Sequence, residues 1–374
     1  MKICRFVDTR GEGSGPGMGG TDDRAAEPGG GDGLGGGVGL GSWAGREGGA
    51  AGGLGAGVGD GWGGARVGYV DGEVVVPVAG GDGLAGLEAV LDLAMAANAD
   101  PGLRPRPEGD PVPLASARLL APVAEPPSVR DFYAFEQHVR TARSRRGREM
   151  HPDWYELPVF YFSNPASVLG PGDPVAAPPR SDELDYELEV ACVLGRGGTN
   201  LGLNDADEVV AGFTVMNDWS ARDIQRREMA QSLGPAKGKD FATSLGPVLV
   251  TVAEFAPGGL REVPSAVMTA QVNGIEWSRA DLDGMWWSFA ELLAYASEAA
   301  PVRRGDILGS GTCGTGCILE LSLVHGADKY PYLEPGDVVE LEVAGLGVLA
   351  NPVVAGHAPA FQPDPTRIRP RLGQ

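Results

Sequence analysis

Residues 184–194 read LDYELEVACVL. Leu184, Tyr186, Leu188 and Val190 alternate with Asp185, Glu187 and Glu189. A period of two is strand spacing, with successive side chains on opposite faces. The pattern predicts a strand with three carboxylates on one face, running into the apolar stretch VACVL. Carboxylates side by side in a low-dielectric place repel and resist ionisation. A fold that buries this strand must either turn that face to water or set a cation on it.

The chain has 374 residues, enough for one large domain or two ordinary ones, and is 43% hydrophobic, enough for a sizeable core. Fifty acidic against 30 basic residues give a formal charge of -20. That argues against nucleic acid or an anionic membrane as partner. It is compatible with a cation site, although most of the excess is read as solvated surface. Cys4, Cys192, Cys313 and Cys317 form no C-x-x-C pair and read as reduced thiols of a cytosolic protein. MKICRFVDTRGEG has no apolar signal-peptide core, and no run of about 18 apolar residues occurs anywhere. A cytoplasmic placement is expected.

Residues 10–65 are dominated by glycine and read as a disordered insertion. It interrupts a small N-terminal β domain, residues 1–116. Strands are predicted in KICRFVDTR and in ARVGYVDGEVVVPV, the latter folded at Asp71-Gly72. A helix over 86–98 and a Pro-rich connection over 101–113 come next. Residues 117–356 form the main domain, and 357–374 a loose tail. In that domain ARLLAPV reads as a strand. SVRDFYAFEQHVRTARSRR reads as a helix from Ser128, with Asp131 in a capping box. AGFTVMNDW reads as a strand, and SARDIQRREMAQ as a helix capped by Ser220 and Asp223. Asn273-Gly274 marks a hairpin. WSFAELLAYASEA reads as a helix capped by Ser288, with Glu291 at its third position. After the glycine-punctuated loop GDILGSGTCGTGC, the last strands are ILELSLV and GDVVELEVAGLGVLANPVV. The class is α+β, dominated by β structure.

Asp131 and Asp218 lie at ends of predicted elements. With Glu187 and Glu189 they make a set of four carboxylates, the all-oxygen ligands that hard cations take. Alternate strand positions lie about 7 Å apart, close enough for two carboxylates to converge on one ion. Each has a plainer reading as well: a cap, the start of a turn, or a pair facing water. Arg222 and Gln225 share a helix face. An arginine there would hold an anionic substrate, or belong to an exposed basic helix with Arg226 and Arg227. Lys239 lies in the Gly-flanked loop LGPAKGKDFATS, which is not a P-loop. Of the four histidines, His138 comes two turns after Asp131 on the same predicted helix and faces the same way, unless it faces solvent.

DFYAFEQHV, LPVFYFSNPAS, DYELEVA, MNDWSARDIQ, LGPAKGKDFATS and GSGTCGTGCILEL occur in this order. In that respect the chain resembles the fumarylacetoacetate hydrolase family, over roughly residues 117–355. The resemblance implies a mixed β-sandwich roll with a small N-terminal β domain. It implies Mg²⁺ (or Ca²⁺ or Mn²⁺) held by Asp131, Glu187, Glu189 and Asp218, with Lys239 and Thr243 beside it. His138 would be the general base, oriented by Glu320 in the L-E-L strand. Arg222 and Lys239 would stabilise negative charge. Tyr133, Tyr161, Gln225 and Thr312 match substrate-contacting positions, and Asp185 has no assigned role. The implied activity is metal-dependent hydrolysis of a C–C bond in a β-diketo acid or acylpyruvate. The implied partners are a small-molecule oxo acid and a second copy of the chain.

The chain departs from the name-giving enzyme of that family at Met229, where a tyrosine is expected. None of Arg140, Arg143, Arg145, Arg146 and Arg148 aligns clearly with its substrate arginine, and the segment from Thr312 to Glu320 is shorter. Decarboxylases, isomerases and hydratase-like enzymes share the same core, so fold and metal do not choose among them. A non-catalytic metal- or ligand-binding protein is a further alternative. His138 with Glu320 favours hydrolysis, because a dyad that activates water has less purpose in decarboxylation.

Overall fold

The computed structural model describes residues 1–11, 64–79, 83–144 and 147–362. Nearly all of the glycine tract, Arg145 and Arg146, and the tail beyond residue 362 lie outside the described residues. The chain divides into Met1–Thr9 with Trp62–Gln374, and Arg10–Gly61. The sheets belong to the first of these units.

Among the described residues, one large mixed sheet dominates. Its strands run in the order Val112–Pro113, Val74–Val78, Arg66–Asp71, Lys2–Asp8, Thr243–Thr251, Val210–Asp218, Leu188–Leu194, Ile307–Gly309, Val129–Phe132, Phe160–Ser163. Neighbours along this path are antiparallel except Ile307–Gly309 with Val129–Phe132. Lys2–Asp8 is the seam, with Ile3 opposite Leu249 on one side and Tyr69 on the other. The N-terminal hairpin thus extends the central sheet. A second sheet runs Ile275–Asp281, Val267–Val272, Val338–Val343, Gly347–Val354, Val175–Ala176.

Leu188–Leu194 is buried along its whole length because both faces of the sheet are covered. Leu188, Val190, Cys192 and Leu194 enter a core with Met268, Leu341 and Leu349 of the second sheet. Ala191 and Val193 enter the opposite core, with Val90, Leu91 and Ala94 of the helix Gly83–Ala99. Glu189 has the parity of Ala191 and Val193. Asp131 likewise has the parity of Val129, and Thr243 that of Leu245, both in the helix-side core. The sheet therefore presents these polar groups as continuations of apolar rows on its helix-covered side.

Four local expectations need correction. Val129–Phe132 is a fully buried strand, and the helix begins only at Glu136, spanning Glu136–Ser144. Pairing with strands on both sides outweighs the capping-box signal, so Asp131 is a strand residue and shares no helix with His138. ILELSLV is a helix, Ile318–His325, not a strand. Its first N–H groups need acceptors, and Asp185 supplies them: Oδ1 takes the N–H of Ile318 at 2.6 Å and Oδ2 that of Leu319 at 3.0 Å. Arg222–Met229 has Ala221 as N-cap, with no side-chain cap. Ser220 Oγ instead donates to Asp218 O, while Asp223 accepts from Ser181 Oγ and Asp182 N. In the first hairpin, Asp71 pairs with Val74, so the turn residues are Gly72 and Glu73, with Gly72 at φ 58°. The Asn273-Gly274 turn and the Ser288–Glu291 capping box form as expected.

Candidate active site

Four buried carboxylates meet at the end of the large sheet. One oxygen from each of Asp131, Glu187, Glu189 and Asp218 lies within 4.8 Å of the other three. The register explains the convergence. Asp131 sits opposite Gly309, which neighbours the Glu189 strand, and Asp218 sits opposite Thr243. Glu187 is held where the strand breaks between Asp185 and Leu188, its N–H donating to Asn217 Oδ1 at 2.9 Å. Gly309 makes the crowding possible, since a Cβ there would stand 2.5 Å from Asp131 Oδ1.

Cationic and neutral donors surround the carboxylates. The Lys239 ammonium donates to Glu187 and Asp218, and the Tyr161 hydroxyl to Asp218. Arg222 Nη2 lies 2.7 Å from Glu187 Oε1, its Nε donates to Asp185 Oδ2 at 2.7 Å, and its Nη1 donates to Gln225 Oε1 at 3.1 Å. Gly311 N and Thr312 Oγ1 donate to Glu189 at 3.1 and 3.3 Å. Thr243 Oγ1 faces Ser163 Oγ at 3.5 Å rather than a carboxylate.

A second polar pair adjoins this group. His138 Nδ1 is 3.0 Å from Glu320 Oε2, both residues buried. Thr315 N also donates to Glu320 Oε2, at 2.9 Å. Glu320 Oε2 already accepts from Thr315 N, and with the carboxylate as acceptor the shared proton is assigned to Nδ1 and Nε2 is left as an acceptor. Tyr133 packs edge-on against the His138 ring, with centroids 5.5 Å apart.

Electrostatics divide the carboxyls. Burial first, and then the neighbouring Asp218 charge, push Asp131 well above the usual range. Burial and Asp131 do the same to Glu189. Burial also raises Asp218, against the pull of Lys239. Glu187 is the exception: burial raises it, but the charges of Arg222 and Lys239 outweigh burial and hold it low. Cys317, whose side chain stands with those of His138 and Glu320, pairs with Glu187 in an isolated backbone bridge, so the dyad and the carboxylates are neighbours. Lys239 is desolvated yet held protonated by Asp218 and Glu187.

The residues fit a hard divalent cation. Their donors are all carboxylate oxygens, and Asp131 Oδ1 and Asp218 Oδ1 are buried without a hydrogen-bond partner. Isolated buried acceptors of this kind are costly unless something positive meets them.

Some expected residues stand apart. Arg140 is exposed and paired with Glu136, Arg143 Nε donates to Glu149 O, and Met229 is exposed. The sequence singles out Asp185 but gives it no role beyond supporting the site or facing the surface; it is fully buried and ties Arg222 to the helix Ile318–His325. Its alternation with Glu187 and Glu189 was the available signal. Gly309 and Cys317 carry no such signal in the sequence.

A family model described as Fumarylacetoacetate (FAA) hydrolase C-terminal matches residues 128–354, and one described as Rv2993c-like, N-terminal matches residues 61–122. The oxaloacetate tautomerase Fahd2a, mitochondrial, of Rattus norvegicus is 32% identical over 253 residues, covering 65% of this chain and 71% of the relative. The crystal structure of a probable 2-hydroxyhepta-2,4-diene-1,7-dioate isomerase from Mycobacterium abscessus is 29% identical with a TM-score of 0.59, covering 78% and 96% of the two chains. The fumarylpyruvate hydrolase of Pseudomonas aeruginosa, in complex with Mn²⁺ and pyruvate, is 25% identical with a TM-score of 0.50, covering 61% and 89%.

Proposed function

The chain belongs to the fumarylacetoacetate hydrolase family, and from that premise we propose that it is a divalent-metal-dependent hydrolase of acylpyruvate-type β-diketo acids. The observation that carries this reading is the buried His138–Glu320 pair beside the four-carboxylate group. Asp131, Glu187, Glu189 and Asp218 would hold Mg²⁺, Mn²⁺ or Ca²⁺. When bound, such a cation supplies Lewis acidity to a chelating 2-oxo acid.

The protein's own groups do the rest. Glu320 fixes the His138 ring and its tautomer. Nε2 then takes a proton from water, and the resulting hydroxide adds to the acyl carbonyl carbon. Lys239 and Arg222 place positive charge where the oxyanion develops. The electron pair of the C–C bond next to that carbonyl departs with the 2-oxo acid fragment as its enolate. The proton held by His138 returns to that carbon, leaving a carboxylate and a 2-oxo acid. Tyr133, Tyr161, Gln225 and Thr312 would line the substrate, and Thr243 would support the metal group. A homodimer and a cytoplasmic setting complete the reading. Among the described residues no helix is long and apolar enough to cross a membrane.

A second reading is keto–enol tautomerisation of a 2-oxo acid, favoured by the 32% identity to a protein named an oxaloacetate tautomerase. The same imidazole would then carry a proton between carbon and oxygen without activating water.

The test is a time course on EDTA-stripped protein with acylpyruvate, fumarylacetoacetate and enol-oxaloacetate, with and without Mg²⁺, alongside His138→Ala. Metal-dependent loss of the diketone chromophore with stoichiometric release of a 2-oxo acid, abolished in the variant, is expected. Enol absorbance decaying on oxaloacetate alone, with no fragment released from either diketo acid, would replace hydrolysis by tautomerisation.

A further inference from the structure

We infer that His138, Cys317 and Glu320 form a second metal site, suited to Zn²⁺ or a similar borderline cation, and that filling it switches the adjoining centre off. One ligand atom from each of the three lies within 4.8 Å of the others, and all three residues are buried. Nitrogen, sulfur and oxygen donors together are a zinc set, with bonds of about 2.0–2.3 Å and tetrahedral angles. Neighbouring ligands on such an ion stand roughly 3.3–3.6 Å apart, so from separations of up to 4.8 Å the group needs to close by roughly 1.2–1.5 Å at most. The fourth position would be left to water or substrate.

The two groups sort cations by chemistry. The carboxylate cluster offers only hard oxygens and suits Mg²⁺, Ca²⁺ or Mn²⁺. The neighbouring group adds imidazole and thiol, which Mg²⁺ binds poorly and Zn²⁺ binds well. Cys317 otherwise has little to do. It is the N-cap of Ile318–His325, yet its side chain makes no cap bond. On binding, the thiol proton leaves to solvent and the sulfur becomes a thiolate ligand.

Inhibition results whichever imidazole nitrogen is used. Ligation through Nδ1 replaces the proton shared with Glu320 and frees the ring from its orienting partner. Ligation through Nε2 takes the lone pair that would accept a proton from water. This effect on turnover rests on the role proposed for His138. The binding itself does not.

The full chain would be titrated with Co²⁺ under saturating Mg²⁺, and the thiolate-to-cobalt charge-transfer band followed in the near ultraviolet. Wild type and Cys313→Ala should develop the band, and Zn²⁺ should displace it. Cys317→Ala and Cys317→Ser should both lack it. In turnover assays at saturating Mg²⁺, Cys317→Ala should keep its activity and need at least about 10-fold more Zn²⁺ for half inhibition, the lower end of what even outer-shell partners contribute. No band in wild type, a band surviving in both Cys317 variants, or unchanged zinc sensitivity in Cys317→Ala overturns the inference. Should the protein turn over no oxo acid, the cobalt band still decides the metal site, and only the proposed reaction falls.

Discussion

His138 Nδ1 stands 3.0 Å from Glu320 Oε2, across 182 residues of chain. Each comes from its own helix, Glu136–Ser144 and Ile318–His325. The imidazole is therefore oriented by tertiary contact, and the role as a base proposed for it depends on an element far away in sequence.

If His138 is the base, His138→Ala should lower kcat by about 10²–10⁴, the usual contribution of a positioned base. Mg²⁺ affinity should stay near wild type, because the residue holds none of the four carboxylates. Glu320→Ala should lose less and also displace the acidic limb of the kcat pH profile, as expected of a positioning residue. Steady-state kinetics with a metal titration checks both. A His138→Ala protein that keeps full kcat removes the base assignment.

Asp185 ties three elements together through Arg222, Ile318 N and Leu319 N. Asp185→Ala leaves a buried guanidinium short of a partner and exposes two helix N–H groups to an apolar setting. Breaking such a buried pair costs about 3–5 kcal/mol. Urea unfolding should show a loss in that range; a change under about 0.5 kcal/mol would mean that the pair is dispensable.

Gly309→Ala tests the crowding at Asp131. Its Cβ would sit 2.5 Å from Asp131 Oδ1 and 3.0 Å from Met216. The carboxylate must move away, so Mg²⁺ affinity measured by calorimetry should fall about 10-fold or more, a loss comparable to removing a supporting partner. Retained affinity would show that the carboxylate group closes without Asp131 in its present position.

Metal-free stability should depend on pH with a definite sign. Asp131, Glu189 and Asp218 are raised, so the folded protein holds protons that the unfolded chain has released. Their contribution is full below the ordinary carboxylate pKa of about 4 and is lost as pH rises through the raised values. Glu187, held low, acts oppositely: its contribution is present above that range and lost as pH falls. Three groups against one, with Asp185 also raised beside them, predict a Tm of the EDTA-stripped protein that declines as pH rises above the ordinary carboxylate range. Saturating Mg²⁺ should raise Tm most at the higher pH, and binding should release protons. Thermal melts from that range upward, with and without metal, check it. A metal-free Tm that climbs toward pH 8 contradicts the assignment.

Much was legible locally. The apolar half of LDYELEVACVL was readable as the buried strand Leu188–Leu194, because a strand's period of two is a local property; the predicted single row of carboxylates was not, since the strand breaks between Asp185 and Leu188 and Glu187 lies in the break. The Asn273-Gly274 turn and the Ser288–Glu291 box were equally readable, since each is satisfied within a few residues. The motifs also carried the family and the candidate residues. What they could not carry was the state of segments whose partners are remote. Val129–Phe132 resembles a helix start until strands on both sides claim its backbone groups. ILELSLV alternates like a strand until Asp185 caps it as a helix. The composition of the polar site was thus set by residue type and spacing. Its geometry was decided only by tertiary structure, because hydrogen-bond satisfaction and charge compensation in a buried place are settled by whichever groups the fold brings within reach.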